Sequence, residues 1–337
     1  MCFGAREAGR SLRDFRRISR AEWQSGGHGR HLSKACTKLV AVSPEAIIQV
    51  RDKAGRPLSP GSNGAGVPCH AAELAGLEQR LLREVGRCSA DYRLVEPGDR
   101  IMLALSGGKD SYTLLHLLRA LQRRAPFAFD LLAVHVDQGQ PGYEGERLEA
   151  YLRREAYEFR IIREDTYSVV IDKVAAGKTY CALCSRLRRG ILYSAARELG
   201  CNKLALGHHR QDAIETLLLN MTFSGALSAM PPRLEPDGDK PVVIRPLYYA
   251  DERQIARFAE LMAFPILPCN LCGSQSGLMR QRVRTVLEEL MTLAPNALNS
   301  IGASLANVRP SHLADLALHR DENGEGMQAK VAEVPDA

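Results

Sequence analysis

A six-residue segment, Ser106-Gly-Gly-Lys-Asp-Ser111, combines the residue types that bind phosphate groups. It follows the apolar run from Ile101 to Leu105 and precedes leucines at helical spacing, which predicts a strand, a glycine turn and a helix N-terminus. Its two glycines let backbone amides approach an anion closely, and the positive end of the following helix attracts that anion. The segment therefore predicts a site for nucleotide phosphates. The alternative is a plain strand-to-helix turn with a serine or aspartate cap.

Four of the nine cysteines form two C-x-x-C pairs, Cys181 with Cys184 and Cys269 with Cys272. The first pair leads directly into a helical pattern, so its thiols are expected at a helix N-terminus, which favours the metal-binding thiolate. From spacing alone, the two pairs could hold a tetrahedral zinc ion. A redox motif of the thioredoxin type is less consistent, because such motifs open the first helix of their fold and this pair lies deep in the chain.

Other polar residues follow predicted strands at positions that would face the phosphate segment. Gly207-His208-His209-Arg210-Gln211-Asp212 follows the apolar run 203–206, and Asp137 ends the run 133–136. Because the carboxyl ends of parallel strands meet at one edge of a sheet, these residues are candidates for contact with a nucleotide or Mg²⁺. Packing or capping at the strand–helix junction is an equal alternative for the two histidines, as is a turn cap for Asp137.

Basic residues flank both cysteine pairs, although the overall charge gives no reason to expect a nucleic-acid partner. The net charge is +6, and the first forty residues supply all of it with nine Lys/Arg against three acids, so the rest of the chain is neutral. A polyanion site must therefore be a local patch. Each basic cluster alone is typical of a solvated helix face, but its position beside cysteines favours RNA contact. The candidates are Arg186, Arg188, Arg189, Arg280, Arg282 and Arg284.

Short apolar runs alternate with helical patterns from residue 100 onward, which predicts an α/β fold with a parallel sheet covered by helices on both faces. Such sheets bind ligands at the carboxyl ends of their strands. The predicted strands are Ile101 to Leu105, Leu131 to Val136, Phe159 to Arg163, Lys203 to Leu206 and Val242 to Pro246. The predicted helices begin near Ala71 and then cover Tyr112 to Gln122, Glu146 to Glu155, Ser185 to Leu199, Asp212 to Met221, Asp251 to Met262, Met279 to Met291 and Ala297 to Val308.

Composition separates the ends of the chain from its centre. Residues 1–72 are Arg-rich and then rich in Gly, Pro and Ser, which predicts a disordered extension; a transit peptide and a start codon placed too far upstream both fit it. We expect a nucleotide domain over residues 73–263, a Cys-containing loop with C-terminal helices over 264–318, and a flexible tail over 319–337. With 45% hydrophobic residues, 25% charged residues and no apolar run of membrane-spanning length, the composition predicts a globular cytoplasmic protein without a membrane partner.

The phosphate segment resembles the SGGxDS signature of the PP-loop ATP pyrophosphatases, which split ATP between the α and β phosphates and adenylate an oxygen of their substrate. From about Leu77 to Asp315 the chain further resembles the tRNA 2-thiocytidine biosynthesis family. The motifs that carry this resemblance are the phosphate segment, the helix of the first cysteine pair, Gly207-His-His-Arg210, Met230-Pro-Pro232 and Pro268-Cys-Asn-Leu-Cys-Gly-Ser-Gln275. The family usually has two acidic residues where this chain has Gln211 and Asp212, which leaves Asp212, Asp110 and Asp137 as candidate Mg²⁺ ligands.

The resemblance implies replacement of the C2 oxygen of a tRNA cytidine, expected at position 32, by sulfur at the expense of ATP. It also implies a 4Fe-4S cluster on Cys181, Cys184 and Cys272, with an open iron that can carry a sulfide, and it leaves Cys269 spare. A cysteine desulfurase as sulfur donor and a reductant are the expected partners, and a homodimer is compatible with the sequence. The catalytic residues would be Lys109, Asp110 and Ser111. The residues expected to bind the nucleotide are Ser106, Gly107, Gly108, Lys109, Asp110, Ser111, Asp137, Gly207, His208 and Asp212. Those expected to contact tRNA are Arg186, Arg188, Arg189, Arg280 and Arg282.

Two other functions fit parts of the sequence. An amide-forming synthetase of the same fold, similar to tRNA-lysidine synthase, would leave the cysteines incidental and the protein colourless. A non-catalytic RNA-binding protein stapled by zinc would bind zinc and turn over no ATP. Iron and sulfide analysis distinguishes both from an iron–sulfur enzyme.

Overall fold

A six-stranded sheet forms the centre of the structure, a computed structural model that describes residues 67–173, 181–267, 276–315 and Leu318. The strands lie in the order β3-β2-β1-β4-β6-β5. Neighbouring strands run parallel except β5, which pairs antiparallel with β6 at one edge. The bounds are β1 (Arg100–Ala104), β2 (Asp130–Asp137), β3 (Phe159–Arg163), β4 (Lys203–Ala205), β5 (Arg233–Leu234) and β6 (Val242–Ile244).

Helices connect the strands and cover the sheet. The helices within the described ranges are α1 (Val67–Tyr92), α2 (Lys109–Arg124), α3 (Gly145–Arg154), α4 (Thr166–Lys173), α5 (Cys181–Glu198), α6 (Arg210–Phe223), α7 (Glu252–Leu261), α8 (Ser276–Leu293) and α9 (Ala297–Ser304). Short 3₁₀ helices lie at Pro246–Tyr249 and Pro310–His312. In this part of the chain, no helix combines the length and the apolar character that crossing a membrane requires.

The sheet supports two apolar cores, because successive residues of a strand point to opposite faces. Ile101 and Leu103 of β1 belong to a core that includes Leu114 of α2 and residues of α1 and α7. Met102, between them, belongs to a second core that includes Leu192 of α5. The predicted α/β fold, with helices on both faces of the sheet, is thereby confirmed.

A buried lysine joins the amino ends of the central strands. Lys203 of β4 is only 3% exposed, and its ammonium lies 2.7 Å from Asp99 Oδ2 and 3.1 Å from Glu96 Oε2. Burial would raise the pKa of Glu96, but hydrogen bonds from Lys203 and Arg93 hold that pKa at about 2. Because a buried charge needs a partner, these carboxylates explain how Lys203 is tolerated inside the sheet.

The predicted strands and helices agree with the structure to within a few residues at their ends. Besides the two short 3₁₀ helices, one strand and one α-helix of the described residues are absent from the prediction. Strand β5 has two residues, too few for a pattern, and α4 is a short helix rich in β-branched residues, which are typical of strands. Helix α1 begins at Val67, ahead of the predicted start near Ala71 and inside the predicted extension. The rest of that extension, residues 1–66, and the tail from residue 319 lie outside the described residues.

Candidate functional site

The phosphate segment forms a loop between β1 and α2 that its own two serines brace. Ser106 Oγ donates to Ser111 Oγ at 3.1 Å and accepts from the Gly108 amide at 3.3 Å. Ser111 Oγ in turn donates to the Gly108 carbonyl at 2.9 Å. Helix α2 begins at Lys109, directly after the loop, so the amides of Lys109 and Asp110 have no helical acceptor and are available to an anion, whereas the Ser111 amide donates to the Gly108 carbonyl at 3.1 Å. The predicted strand, glycine turn and helix N-terminus are all present.

Two glycines of the site lie where a larger residue would collide with neighbouring chain. Gly107 has a φ of +82°, and a Cβ there would lie 2.8 Å from Leu267 Cδ1. A Cβ on Gly207, after β4, would lie 3.1 Å from the carbonyl carbon of Asp110. Leu267 also donates its amide to the Gly107 carbonyl at 2.9 Å. The loop is therefore packed between the β4–α6 connection and the segment that ends at Leu267, just before the second cysteine pair.

Carboxylates surround the loop lysine. Lys109 Nζ lies 2.8 Å from Asp110 Oδ1 and 3.1 Å from Oε1 of Glu252, the first residue of α7. Burial alone would lower the pKa of Lys109, but the two carboxylates raise it, so the side chain stays protonated. His209 Nε2 completes the group at 3.5 Å from Asp212 Oδ2. A triphosphate arriving at the loop would meet a cation that is already present and held between two anions.

The candidate magnesium ligands have structural partners in this arrangement. Asp212 Oδ2 accepts from the His209 amide at 3.0 Å, as an N-terminal cap of α6. Asp137 Oδ1 accepts from the Gly139 amide at 3.0 Å, the turn cap that was its alternative role. Gln211 Oε1 accepts from the Glu252 amide at 3.1 Å and thereby caps α7. Within the ranges that the structure describes, no three His, Cys, Asp or Glu side chains are arranged to bind a metal ion.

A cavity of about 290 Å³ opens beside the loop, in contact with Ser106 and Gly108. One wall is His135 of β2, whose Nδ1 lies 2.7 Å from the Leu105 carbonyl and therefore carries the proton. Its Nε2 contacts the hydroxyl of Tyr143, and the two rings are stacked with centroids 5.6 Å apart. Burial lowers the pKa of His135 and keeps the imidazole neutral. A partly aromatic cavity next to a phosphate loop has the form of a nucleoside pocket.

The first cysteine pair opens α5, as predicted, and Cys184 lies behind two residues of the cavity wall. The Cys184 thiol is 8% exposed. It accepts from the Gln138 side-chain amide at 3.4 Å and lies 4.0 Å from Arg188 Nη2, and both of these residues line the cavity. The side chain of Cys181, and Cys269 and Cys272 entirely, lie outside the described residues.

The basic candidates separate into three environments. Arg186, Arg189 and Arg282 are exposed, whereas Arg188 is half-buried in the cavity wall. The other two arginines bind a buried carboxylate: Glu215 of α6, 1% exposed, accepts from Arg284 Nε at 2.6 Å and from Arg280 Nη1 at 3.3 Å. The exposed residues are therefore available to a polyanion, while Arg280 and Arg284 also fasten α8 to α6.

His208 lies in the connection between β4 and α6. Burial lowers its pKa to about 4, and its Nδ1 is buried without a hydrogen-bond partner among the described residues. The imidazole is therefore neutral near pH 7 and still has one ring nitrogen available to a ligand or water.

Sequence reasoning missed Gln138, Glu252 and Glu215. Gln138 directly follows β2, so the rule that strand ends form the site applies to it as well as to Asp137. Glu252 carries a weaker signal, an acid in the first turn of a predicted helix, which is common for capping reasons alone. Glu215 had no local signal, because a glutamate inside a helix is common and the sequence does not show that its side chain is buried.

The fold and the loop define a class of protein. A family model described as a PP-loop domain matches residues 77–289. Among curated proteins, the chain is 55% identical over 244 residues to the tRNA-cytidine(32) 2-sulfurtransferase of Anaeromyxobacter sp. (strain K), covering 72% of this chain and 84% of that protein. It is 52% identical over 248 residues to the protein of that name from Ralstonia nicotianae, covering 74% and 79%. The chain belongs to the tRNA-cytidine(32) 2-sulfurtransferase family of PP-loop proteins.

A solved structure shares the fold. The U34-tRNA thiolase NcsA from Methanococcus maripaludis, determined with its [4Fe-4S] cluster, superposes with a TM-score of 0.53 at 22% identity. The match covers 77% of this chain and 87% of that one.

Proposed function

We propose that this protein replaces the C2 oxygen of cytidine 32 in tRNA by sulfur, with ATP as the activating substrate and a 4Fe-4S cluster as cofactor. One observation carries the proposal: the phosphate loop and the cysteine helix share a cavity, because Ser106 and Gly108 line it beside Gln138 and Arg188, the two residues that contact the Cys184 thiol. Activation by a nucleotide and delivery of sulfur could then occur at one place. The relatives, named as tRNA-cytidine(32) 2-sulfurtransferases, support the choice of substrate.

In the activation step, the C2 oxygen of the cytidine attacks the α-phosphorus of ATP and pyrophosphate leaves. Lys109 and the free amides at the start of α2 would stabilise the negative charge that develops on the phosphates. Asp110 and Asp212 are the proposed Mg²⁺ ligands, since carboxylate oxygens suit that ion. Sulfur at the oxidation level of sulfide then bonds to C2, and AMP leaves with the former C2 oxygen, so the exchange itself involves no change of oxidation state. The reductant would supply the two electrons that convert the persulfide sulfur of a cysteine desulfurase to this level.

The thiols present suit an iron–sulfur ligand set. Cys184 is buried and accepts N–H hydrogen bonds, which stabilise a thiolate, and it lies one helical turn from position 181 on α5. We infer that Cys181, Cys184 and Cys272 hold the cluster; when bound, it supplies the sulfur that reaches the activated base. Leu267, the last described residue before the second cysteine pair, contacts the phosphate loop, and the choice of Cys272 over Cys269 rests on the family resemblance.

The remaining partners follow from this chemistry. A cysteine desulfurase would renew the sulfur and a reductant would maintain the cluster, in the cytoplasm where tRNA is modified. The exposed Arg186, Arg189 and Arg282 would bind tRNA phosphates near the cavity.

The test is anaerobic reconstitution of the wild type and four variants: Cys181→Ala, Cys184→Ala, Cys272→Ala and Cys269→Ala. Iron and sulfide content are measured beside 2-thiocytidine in digested tRNA. We expect the first three variants to lose iron, sulfide and activity, because two thiolates cannot hold the cubane, and Cys269→Ala to keep its cluster. Stoichiometric zinc in the wild type, or a cluster that needs Cys269 but not Cys272, contradicts the proposal.

A further inference from the structure

Gln138 lies at the point where the nucleotide cavity meets the cysteine helix. It directly follows β2, is 3% exposed and lines the cavity. Its amide nitrogen donates to Thr166 Oγ1 at 2.7 Å and to Cys184 Sγ at 3.4 Å. Its amide oxygen accepts from Arg188, with Nε at 3.2 Å and with Nη2 in contact. One buried side chain therefore connects the thiol, the start of α4 and a cationic wall of the cavity.

The orientation of this amide follows from its partners. A guanidinium has donors only, so the end of the amide that faces Arg188 must be the oxygen. The nitrogen then faces the sulfur, and its two hydrogens are used by the Thr166 hydroxyl and the thiol. Because both ends are committed and the group is buried, the amide cannot turn over without losing several hydrogen bonds.

Each end has a separate chemical consequence. A hydrogen bond to a thiolate that ligates a cluster withdraws electron density from sulfur and stabilises the reduced state, which raises the reduction potential. The oxygen holds the Arg188 guanidinium at the cavity wall, beside Ser106 and Gly108, where the charge of a nucleotide phosphate would fall.

We propose that Gln138 is a positioning residue that links the two halves of the reaction: its amide nitrogen sets the electron density at Cys184, and its amide oxygen presents Arg188 to the nucleotide. The inference rests on the proposed function for the cluster on Cys184 and adds to it a residue that joins the cofactor to the nucleotide cavity.

Two variants separate the two ends. Gln138→Glu keeps an oxygen for Arg188 but loses the N–H donor and adds a negative charge, because the neighbouring guanidinium keeps the carboxylate ionised. The added charge itself makes the reduction potential more negative, so an uncharged variant is needed beside it. Gln138→Leu removes both ends without adding charge. The readouts are the reduction potential of the reconstituted cluster, from an EPR-monitored redox titration, and the KM for ATP in tRNA thiolation.

We expect both variants to retain iron and to shift the potential to more negative values. Only Gln138→Leu should also raise the KM for ATP, by about tenfold or more, as is usual when support for a binding group is removed. Gln122→Leu is the matched control: its amide also donates to one internal acceptor, the Phe129 carbonyl, but at the far end of α2, and neither readout should move.

If both variants bind iron fully and their clusters have the wild-type reduction potential, the inference is overturned and the proposed function stands. If Gln138→Leu does not fold, Gln138→Met, which is also uncharged and has no N–H donor, decides the effect on the reduction potential. A wild type that binds no iron under anaerobic reconstitution overturns the proposed function first, and this inference with it.

Discussion

Lys109 reaches its two carboxylate partners from the first turn of α2, so the central cation of the loop is paired before any phosphate arrives. Ionic contacts that are partly exposed contribute little to stability, since solvent screens them. A triphosphate, which carries more charge than either carboxylate and also binds the loop amides, can therefore compete for the ammonium. The arrangement keeps Lys109 charged and in place at small energetic cost.

Lys109→Ala and Ser111→Ala should each lower tRNA thiolation by at least about 100-fold while leaving the iron content unchanged. The lysine supplies charge to the phosphates, and the serine braces the loop through the Gly108 carbonyl, but neither contacts Cys184. Thiolation and bound iron are measured on the same preparations, with the exposed Lys240→Ala as control. Full activity in both loop variants would refute the assignment of this loop to ATP.

His208 makes the stability of the protein depend on pH in the acidic range. Its folded pKa is about 4, below the ordinary value of 6.5, because burial disfavours the charged ring. Above pH 6.5 the imidazole is neutral in both states and has no effect; as the pH falls toward 4, the unfolded chain gains a proton that the folded protein excludes, and stability is lost.

His208→Gln should therefore lose less stability than the wild type between pH 7.5 and pH 5.5, by about 1 kcal/mol. Urea unfolding at the two pH values measures the free energy of unfolding of both proteins. Since His135 is present in both, its own contribution cancels in the comparison. Equal pH dependence of the two proteins would show that His208 is not buried as described.

At the scale of elements, α8 is held against α6 by a buried carboxylate. Glu215 pairs with Arg280 and Arg284, and α8 is the first described element after the second cysteine pair. A buried carboxylate without its cations would be costly, so the helix is held by charge as well as by packing. The position of α8 therefore depends on residues that the sequence alone assigned to RNA.

Glu215→Gln should destabilise the protein by about 1–3 kcal/mol and speed amide exchange across α8, because both arginines lose their charged acceptor. Glu73→Gln is the matched control: Glu73 pairs with Arg257, but both side chains are more than a third exposed and solvent screens the pair, so the expected loss is much smaller. Urea unfolding and hydrogen exchange with mass spectrometry give both quantities. Equal losses in the two variants would contradict the anchoring role.

At the scale of the whole molecule, the parallel sheet gathers the site at the carboxyl ends of its strands. The loop after β1, Gln138 after β2 and the histidines after β4 come from separate stretches of chain, yet they meet because β2, β1 and β4 are adjacent. The first buried apolar residue of the core that supports them is Leu77 of α1. The folded unit described here thus needs α1.

Deleting residues 1–66 should leave thiolation in vitro and the free energy of unfolding nearly unchanged, since the deletion preserves α1. A longer deletion through residue 80 serves as the control: it removes Leu74 and Leu77 from the core, and loss of a side chain such as Leu77 costs about 2–5 kcal/mol. Purified proteins are compared by urea unfolding and tRNA thiolation. Loss of folding in the shorter deletion would show that the extension is part of the domain.

The sequence by itself determined most of the features that depend on neighbouring residues, although not α4 or β5. Glycine and serine spacing indicates the phosphate loop, hydrophobic periodicity indicates the strands and most helices, and a polar C-x-x-C before a leucine pattern indicates the start of α5. These inferences succeed because turn geometry, backbone hydrogen bonding and the burial of one face act over a few residues. They also predicted which strand ends would carry the chemistry.

Only the tertiary structure decided which distant side chains share a site. Gln138 and Cys184 are 46 residues apart, and Lys109 and Glu252 are 143 apart. Their contacts depend on strand order and on how α5 and α7 pack, which are set by the summed burial of many apolar residues. The same packing pairs Arg280 with Glu215 and places Asp137 as the cap of a turn. A polar side chain exchanges its hydrogen bonds with water for a protein partner only once the fold has brought the two groups together.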